Sequence, residues 1–580
     1  MSLGQPAFAP WQVSRRLSGW MWRLEHAFER ARASGRAEDD TRIRIFFLLA
    51  LFSLGFVILA IGATHAALFS KAGGDGYAAP IGAARADLVD RNGRMLAADL
   101  LHYGLYIDPR EIWDTGETRR ALSANLPDLT PERLERALRA GRRTFVIGGL
   151  TPEVRAKVHD LGLPGVSFEP EQKRVYPLGY TAAHLVGFAD TGGQGLAGAE
   201  AALNDDIRSA AANHGAVALS IDLRIQAALE DELYKAAAEF RPKGAVGLVT
   251  DVHTGEILGL ASYPTFDPNQ PGKASNDARL DRAAASVFEM GSVFKGFTMA
   301  IGLDTGAATL QTTFDATHPL QIGYRTIHDY HATHAVLTMV EVFQHSSNIG
   351  TARLALAIGP ERLSQYFKNL SLTQPAKTEL IESARPLTPR VWNEDAIAST
   401  SFGEGIDVSP LTLARAYGAL LNGGYVLPLT IRKLPPGARV TGPKVISDRT
   451  SSEVLELMRA NVTGGSGRSA EVPGLNVGGK TGTGNKFDPA IRHYSKTRQV
   501  SSFAATFPTD GGPSARRYFV FILMDEPQRG KNGADPTGGI VAAPAVGKVV
   551  ERIAPFLDVR PRAPFTPFAA EATADEGEEH

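Results

Sequence analysis

Ser292-Val293-Phe294-Lys295, inside the mostly apolar segment FEMGSVFKGFTMAI, sets a hydroxyl and an amine three positions apart, one turn of a helix. A Ser-x-x-Lys turns up by chance about once in a chain of this size and specifies little alone. Its weight comes from two later segments, Ser346-Ser347-Asn348 and Lys480-Thr481-Gly482-Thr483. Together they supply a hydroxyl nucleophile, an amine base, a hydroxyl and amide relay, and a second cation on a glycine-flanked strand. That is the equipment of a serine acyl-transferase working without histidine.

Each residue type has a reason to be there. Ser292 falls where a helix should begin, so its backbone N–H is an unpaired donor free for a developing oxyanion. Lys295 lies on the same helical face and acts as a base only when neutral. Burial and a nearby cation both lower a lysine pKa, and Lys480 is a candidate for that cation. Ser346 and Asn348 offer proton relay and amide hydrogen bonding; taken alone they also read as a helix cap. Lys480, Thr481 and Thr483 fall on an expected strand, where Gly478, Gly479 and Gly482 admit close backbone approach. A peptide could pair along it, with the Thr483 N–H as second oxyanion donor. Locally the same residues read equally as a turn between strands.

Composition narrows the class. The 580 residues are 43% hydrophobic and 21% charged, and 61 basic against 62 acidic residues leave a net charge of −1. That is globular, with no basic excess for nucleic acid. With no cysteine, disulfides, thiolate metal sites and a Cys nucleophile are excluded. Residues 45–64 run without a charge, long enough at about 1.5 Å per residue to cross a bilayer core. Arginines from Arg15 to Arg44 precede the run, so the positive-inside rule puts the N-terminus in the cytoplasm. A cleaved signal peptide fits poorly, because the preceding stretch far exceeds an n-region.

The expected organisation is α+β. It comprises a cytoplasmic tail (1–44), a single transmembrane anchor (45–65), a Gly/Ala linker (66–84), a mixed α/β domain (85–225), a catalytic domain (226–559) and a disordered tail (560–580). In the mixed domain a strand runs into the Asn92-Gly93 turn, and residues 117–141 form two helices parted near Thr130-Pro131, with Gly141 as C-cap. In the catalytic domain, apolar runs flanking Thr254-Gly255 make two antiparallel strands. Residues 288–303 are helical, the helix starting near Gly291, a long helical region extends to about Leu421, and three strands lie near 477–483, 501–507 and 518–524. A helix over 541–556 closes the fold. The sheet is thus antiparallel, flanked by helices, its first two strands separated in sequence from its last three.

Two motifs compete for function. Gly193-Gln194-Gly195-Leu196-Ala197-Gly198 matches a dinucleotide fingerprint, but strand–helix alternation does not continue, and a tight loop opening a helix explains the glycines better. His328, His331 and His334 invite a metal, with Asp329 the one carboxylate near. Their spacing does not keep all three on one helical face, so polar cleft or helix-start packing is the expectation, with no metal and no cofactor.

The three catalytic segments resemble the Ser-x-x-Lys, Ser-x-Asn and Lys-Thr-Gly motifs of class B penicillin-binding proteins, the monofunctional peptidoglycan D,D-transpeptidases. The likeness extends upstream. Arg85 with Asp90-Arg91-Asn92-Gly93, Arg174-Val175-Tyr176-Pro177-Leu178-Gly179, His184, Gly187 and Gly198-Ala199-Glu200 resemble that family's pedestal domain. Thr254-Gly255-Glu256-Ile257-Leu258, Phe266-Asp267-Pro268-Asn269, Ser409-Pro410-Leu411-Thr412-Leu413-Ala414 and Asn422-Gly423-Gly424 resemble its transpeptidase domain. Met290 stands where proline is usual, and Ala505-Thr506 replaces a glycine-containing pair.

The resemblance implies acylation of Ser292 by the penultimate D-alanine of a stem peptide, with Lys295 as base, Ser346 as proton shuttle and Asn348 holding the peptide amide. Lys480, Thr481, Gly482 and Thr483 would bind the donor carboxylate and shape the pocket, and β-lactams would mimic the donor. Length and anchor resemble the septal, cell-division member, whose expected partner is the polytopic glycan-polymerising protein of the divisome. The location implied is the bacterial inner membrane with a periplasmic catalytic domain. The elongation-specific member and, in another class, a β-lactam sensor or β-lactamase-like protein are the alternatives.

Overall fold

The computed structural model describes residues 85–488, 493–530, 533–563 and 567 and, nearer the N-terminus, 22, 26, 29, 30, 33, 48, 49, 51–57, 59 and 60. Residues 1–79 and 80–580 form separate compact units. In the first, the described residues at 48, 49, 51–57, 59 and 60 are helical, with Phe52, Phe56 and Leu59 exposed. Among the described residues no helix is long and apolar enough to cross a membrane. The expected anchor at 45–65 lies only partly within them, most of the 1–44 tail lies outside, and the 66–84 linker lies wholly outside.

In the second unit, strand β1 (Asp87–Val89) turns at Gly93, whose φ of +83° suits glycine, into the long β2 (Met95–Ile107). Helices α1 (Thr115–Asn125) and α2 (Pro131–Leu138) follow, then β3 (Thr144–Leu150), α3 (Pro152–His159) and β4 (Val166–Val175). β2 pairs antiparallel with β1, β3 and β4, while β5 (Ala216–Ala218) joins β1 in parallel. Asp114 caps α1 by accepting the N–H groups of Gly116 and Glu117 at 2.7 and 3.0 Å. The helix pair divides at Thr130-Pro131 as expected, but α2 ends with Arg139 as C-cap, before Gly141. Its apolar stripe, Leu134, Ala137 and Leu138, stops there, so nothing further draws the helix onto the sheet.

A buried ionic network ties this domain's start to its end. Glu200, fully buried, receives Arg85 through Nη2 at 2.5 Å and Arg174 through Nε at 2.7 Å. Arg174 also pairs with Asp99 at 3.2 Å. The GxGxxG segment wraps this network. Gly193 turns the chain at φ +76°, and a Cβ on Gly195 would lie 1.8 Å from the Glu200 carbonyl oxygen. Close backbone packing accounts for these glycines.

The catalytic sheet follows α4 (Leu223–Phe240), with β6 (Gly244–Asp251) and β7 (Ile257–Tyr263). Far later come β8 (Gly478–Asp488), β9 (His493–Phe507) and β10 (Tyr518–Asp525). The order is β8-β9-β10-β6-β7, antiparallel throughout. Alternate β10 side chains serve two cores. Phe519, Phe521 and Leu523 join Phe297 and Tyr417, while Val520, Ile522 and Met524 join Leu229, Val546 and Val550. Helices cover both faces, which is why these strands read as unbroken apolar runs. On one side lie α5 (Lys295–Asp304), α6 (Asn348–Ile358), α7 (Pro410–Leu421) and α8 (Asp448–Gly464); on the other, α4 and α9 (Ala543–Ile553).

Three expectations need correction. Phe288–Glu289 is a short strand paired with Asp407–Val408, and the helix begins only after it. The stretch up to Leu421 is not continuously helical: short strands occupy Thr313–Asp315, Leu320–Ile322, Arg325–Ile327 and Val336–Thr338. Pro319, Gly323 and the alternating Leu320, Ile322 and Ile327 favour hairpins there. The C-terminal segment, expected to be disordered from Arg560, begins docked: Arg562 bonds the Gly474 carbonyl at 2.8 Å and pairs with Asp510 at 2.9 Å. Most later residues lie outside those described.

Candidate active site

Ser292 lies in a single 3-10 turn, Gly291–Phe294, that runs directly into α5. The turn is pressed between two backbones. A Cβ on Gly403 would lie 2.1 Å from the Gly291 carbonyl oxygen, and one on Gly482 would lie 2.6 Å from that of Met290. A Cβ on Gly291, itself at φ +56°, would lie 2.8 Å from the Thr483 carbonyl oxygen. Ser292 is therefore seated against β8, the outermost strand of the sheet. Its side chain stays half-buried and makes no hydrogen bond among the described residues.

One turn on, Lys295 is fully buried. Its Nζ donates to Asn348 Oδ1 at 2.8 Å, to Ser346 Oγ at 3.0 Å and to the Ser346 carbonyl oxygen. From β8, the buried Lys480 Nζ reaches the same Ser346 Oγ at 2.9 Å. One hydroxyl thus sits between two amines from segments far apart in sequence. Ser346 has a φ of +58°, a left-handed conformation costly for a side-chain-bearing residue and one found at functional sites.

The Ser346 turn is held by residues the motif reading did not single out for this purpose. Ser347 caps α6 by accepting the Gly350 N–H at 3.0 Å and donates to Asp329 Oδ2 at 2.7 Å. Asp329 Oδ1 accepts the Ile349 N–H at 3.0 Å, and Asn348 Nδ2 donates to the His328 carbonyl at 3.0 Å. The 328–334 segment is therefore a brace lying between two short strands, and not a helix start. His334 Nδ1 lies 3.2 Å from the Thr317 carbonyl. Among the described residues no cluster of three metal-ligating side chains occurs.

On β8, Thr481 and Thr483 share the face opposite Lys480 and Gly482. The hydroxyls of Thr481 and Ser466 are 2.7 Å apart, and Thr483 Oγ1 accepts the Gly538 N–H at 3.1 Å. Asn461 steadies the strand, donating to the Gly479 carbonyl at 2.8 Å while accepting from Ser466 Oγ at 3.1 Å. Ser466 was not anticipated, although its setting, Gly464-Gly465-Ser466-Gly467, was visible as a glycine-rich exit from a helix.

Burial pushes the Lys295 ammonium down to about 7, with the Asp329 and Glu404 carboxylates pulling weakly the other way. Burial, and then the charge of Lys295, hold Lys480 well below the ordinary lysine value. Lys480 was expected to be the cation that lowers Lys295. Desolvation does that, and the repulsion between the amines is felt at Lys480. With one acceptor between them, the two titrate as a pair, and a neutral amine is available near neutral pH. The arrangement can take a proton from an alcohol, hold it, and pass it along a hydroxyl.

Comparison with known proteins agrees with this geometry. Residues 245–551 match the family model described as penicillin binding protein transpeptidase domain, and residues 80–204 match penicillin-binding protein dimerisation domain. The chain is 64% identical over 556 residues to the probable peptidoglycan D,D-transpeptidase FtsI of Caulobacter vibrioides, spanning 95% of this chain and 94% of that one. It is 29% identical to the peptidoglycan D,D-transpeptidase FtsI of Escherichia coli K12, over 86% and 88% of the two chains. The crystal structure of penicillin binding protein 3 from Mycobacterium tuberculosis, complexed with aztreonam, superposes with a TM-score of 0.63 at 26% identity, covering 83% of this chain and 98% of that one. A buried two-lysine site on an antiparallel sheet, carried by a chain so closely matched over nearly its full length, belongs to the class B penicillin-binding proteins, on their septal, FtsI-like branch.

Proposed function

We infer that this chain is a serine-type peptidoglycan D,D-transpeptidase that cross-links stem peptides during septal wall synthesis and is inhibited by β-lactams. The observation that carries the mechanism is the pair of lysine amines flanking Ser346 Oγ, one turn from Ser292. In the first step Ser292 Oγ attacks the carbonyl carbon of the penultimate D-alanine, and its proton passes to neutral Lys295. The Ser292 and Thr483 N–H groups stabilise the oxyanion. Ser346 relays a proton to the departing amine as the C–N bond breaks, leaving an ester on Ser292 and free D-alanine. In the second step the amine of a neighbouring stem peptide attacks the ester. The C–N bond forms, the C–Oγ bond breaks, and the amine's surplus proton returns through the lysine pair to Ser292 Oγ.

Lys480, Thr481 and Thr483 receive the donor's terminal carboxylate, with Ser466 fixing the Thr481 hydroxyl. Asn348 already spends one lone pair on Lys295 and one N–H on His328; its remaining lone pair and N–H hold the peptide amide. The donor lies extended along the edge of β8. The apolar run at 45–64, behind Arg42 and Arg44, supports a single-span anchor in the inner membrane with the catalytic domain outside. Anchor and pedestal would contact the polytopic glycan polymerase of the divisome. Incubation of the purified chain with glycan strands bearing pentapeptides should release D-alanine and yield cross-linked muropeptides, with a long-lived penicilloyl adduct. Rapid drug turnover without cross-links would refute the reading.

A further inference from the structure

Resting on that reading, we propose that the amine-bearing acceptor peptide enters through a cleft of about 700 Å³ between the Leu320–Ile322/Arg325–Ile327 hairpin and the start of the helix Glu394–Thr400. The cleft is lined by Ile322, Tyr324, Arg325, Asn393, Glu394 and Asp395. Both walls lead into the site. The hairpin runs directly into His328 and Asp329, which hold the Asn348 turn. The helix runs into the 401–405 loop, whose Gly403 backbone abuts Gly291, next to Ser292. Arg325 ties the walls together, donating to Ser399 Oγ at 2.6 Å and pairing with Glu404. Each wall of the cleft is thus continuous with a segment that packs beside Ser292 or braces Asn348.

Its chemistry suits that peptide. The attacking amine is a cation in solution before it loses a proton. The Glu394 and Asp395 side chains are exposed on the cleft and have no hydrogen-bond or ion-pair partner among the described residues. Two unpaired carboxylates at the rim concentrate a cationic ligand and weaken with salt. Tyr324, fully exposed at the hairpin tip, offers a ring face for the peptide or its glycan. None of these side chains shares a hydrogen bond with Lys295, Ser346 or Lys480, so they can be changed without touching acylation.

The test uses the full-length chain in detergent, a thioester donor that acylates Ser292, and a tripeptide acceptor ending in a diamino acid. The double variant Glu394→Gln/Asp395→Asn and, separately, Tyr324→Ala are compared with the unaltered chain. The expected result is unchanged acylation and donor hydrolysis, an acceptor KM raised at least tenfold, and a salt dependence of aminolysis lost in the double variant. Unchanged aminolysis-to-hydrolysis ratios in both variants would overturn the assignment. Failure of the unaltered chain to acylate would overturn the transpeptidase reading and this one with it; the hydrolysis arm of the assay separates the two cases.

Discussion

Burial is what suits Lys295 to the base role proposed for it. Burial lowers its pKa to about 7, so each pH unit below that should cost about tenfold in the neutral form. The rate of penicillin acylation should therefore climb with pH to a plateau just above 7. A profile flat from pH 5 to 8 would remove Lys295 from the base role. Ser346 Oγ, touched by both amines, is the narrow point of the proposed relay. Ser346→Ala should keep the fold and slow acylation by about 10²- to 10⁴-fold, the usual range for a lost proton-transfer group. Stopped-flow acylation would reveal it. At this scale the sequence named the side chains that the fold gathers around Ser346, because Lys295, Ser346 and Lys480 lie in short local patterns. It could not assign Asp329, whose partners Ser347 and Ile349 lie on another element. Nothing local to Asp329 announces that contact.

The elements hold these groups by close backbone contact. At Gly403, with φ +86°, an added Cβ would fall 2.1 Å from the Gly291 carbonyl oxygen, so there is no room for a methyl group. Gly403→Ala should cost about 1–2 kcal/mol from the left-handed backbone alone. It should also displace the Ser292 turn, so that acylation falls further than thermal stability. Equal, small effects on both would contradict the seating described. Asp329→Ala strips the acceptor from one hydroxyl and one N–H at the start of α6, an expected loss of about 1–3 kcal/mol readable by thermal melting. Periodicity found the sheet strands because both faces are covered and the apolar runs are long. It missed the hairpins between 313 and 338, where strands of three residues are too short to carry a period.

Across the whole molecule, two cores on either face of one sheet fix β8 relative to the helices that carry Ser292 and Ser346. The pedestal relies on a different device, the Arg85–Glu200–Arg174 network. Glu200→Ala would remove the carboxylate shared by two buried guanidinium groups, leaving Arg174 with Asp99 and Arg85 with the Gly193 carbonyl and Asn204, and should destabilise that domain by about 3 kcal/mol, the lower end for a broken buried pair. The site is built without Glu200, so penicillin labelling of the folded fraction should persist. The central claim is that separate stretches converge to make the Ser292 hydroxyl a nucleophile. Peptide mapping by mass spectrometry after brief exposure to penicillin tests it most directly. The account predicts one penicilloyl group, carried on Ser292 and absent from the S292A chain; an adduct on any other residue, or one that survives in S292A, would contradict it.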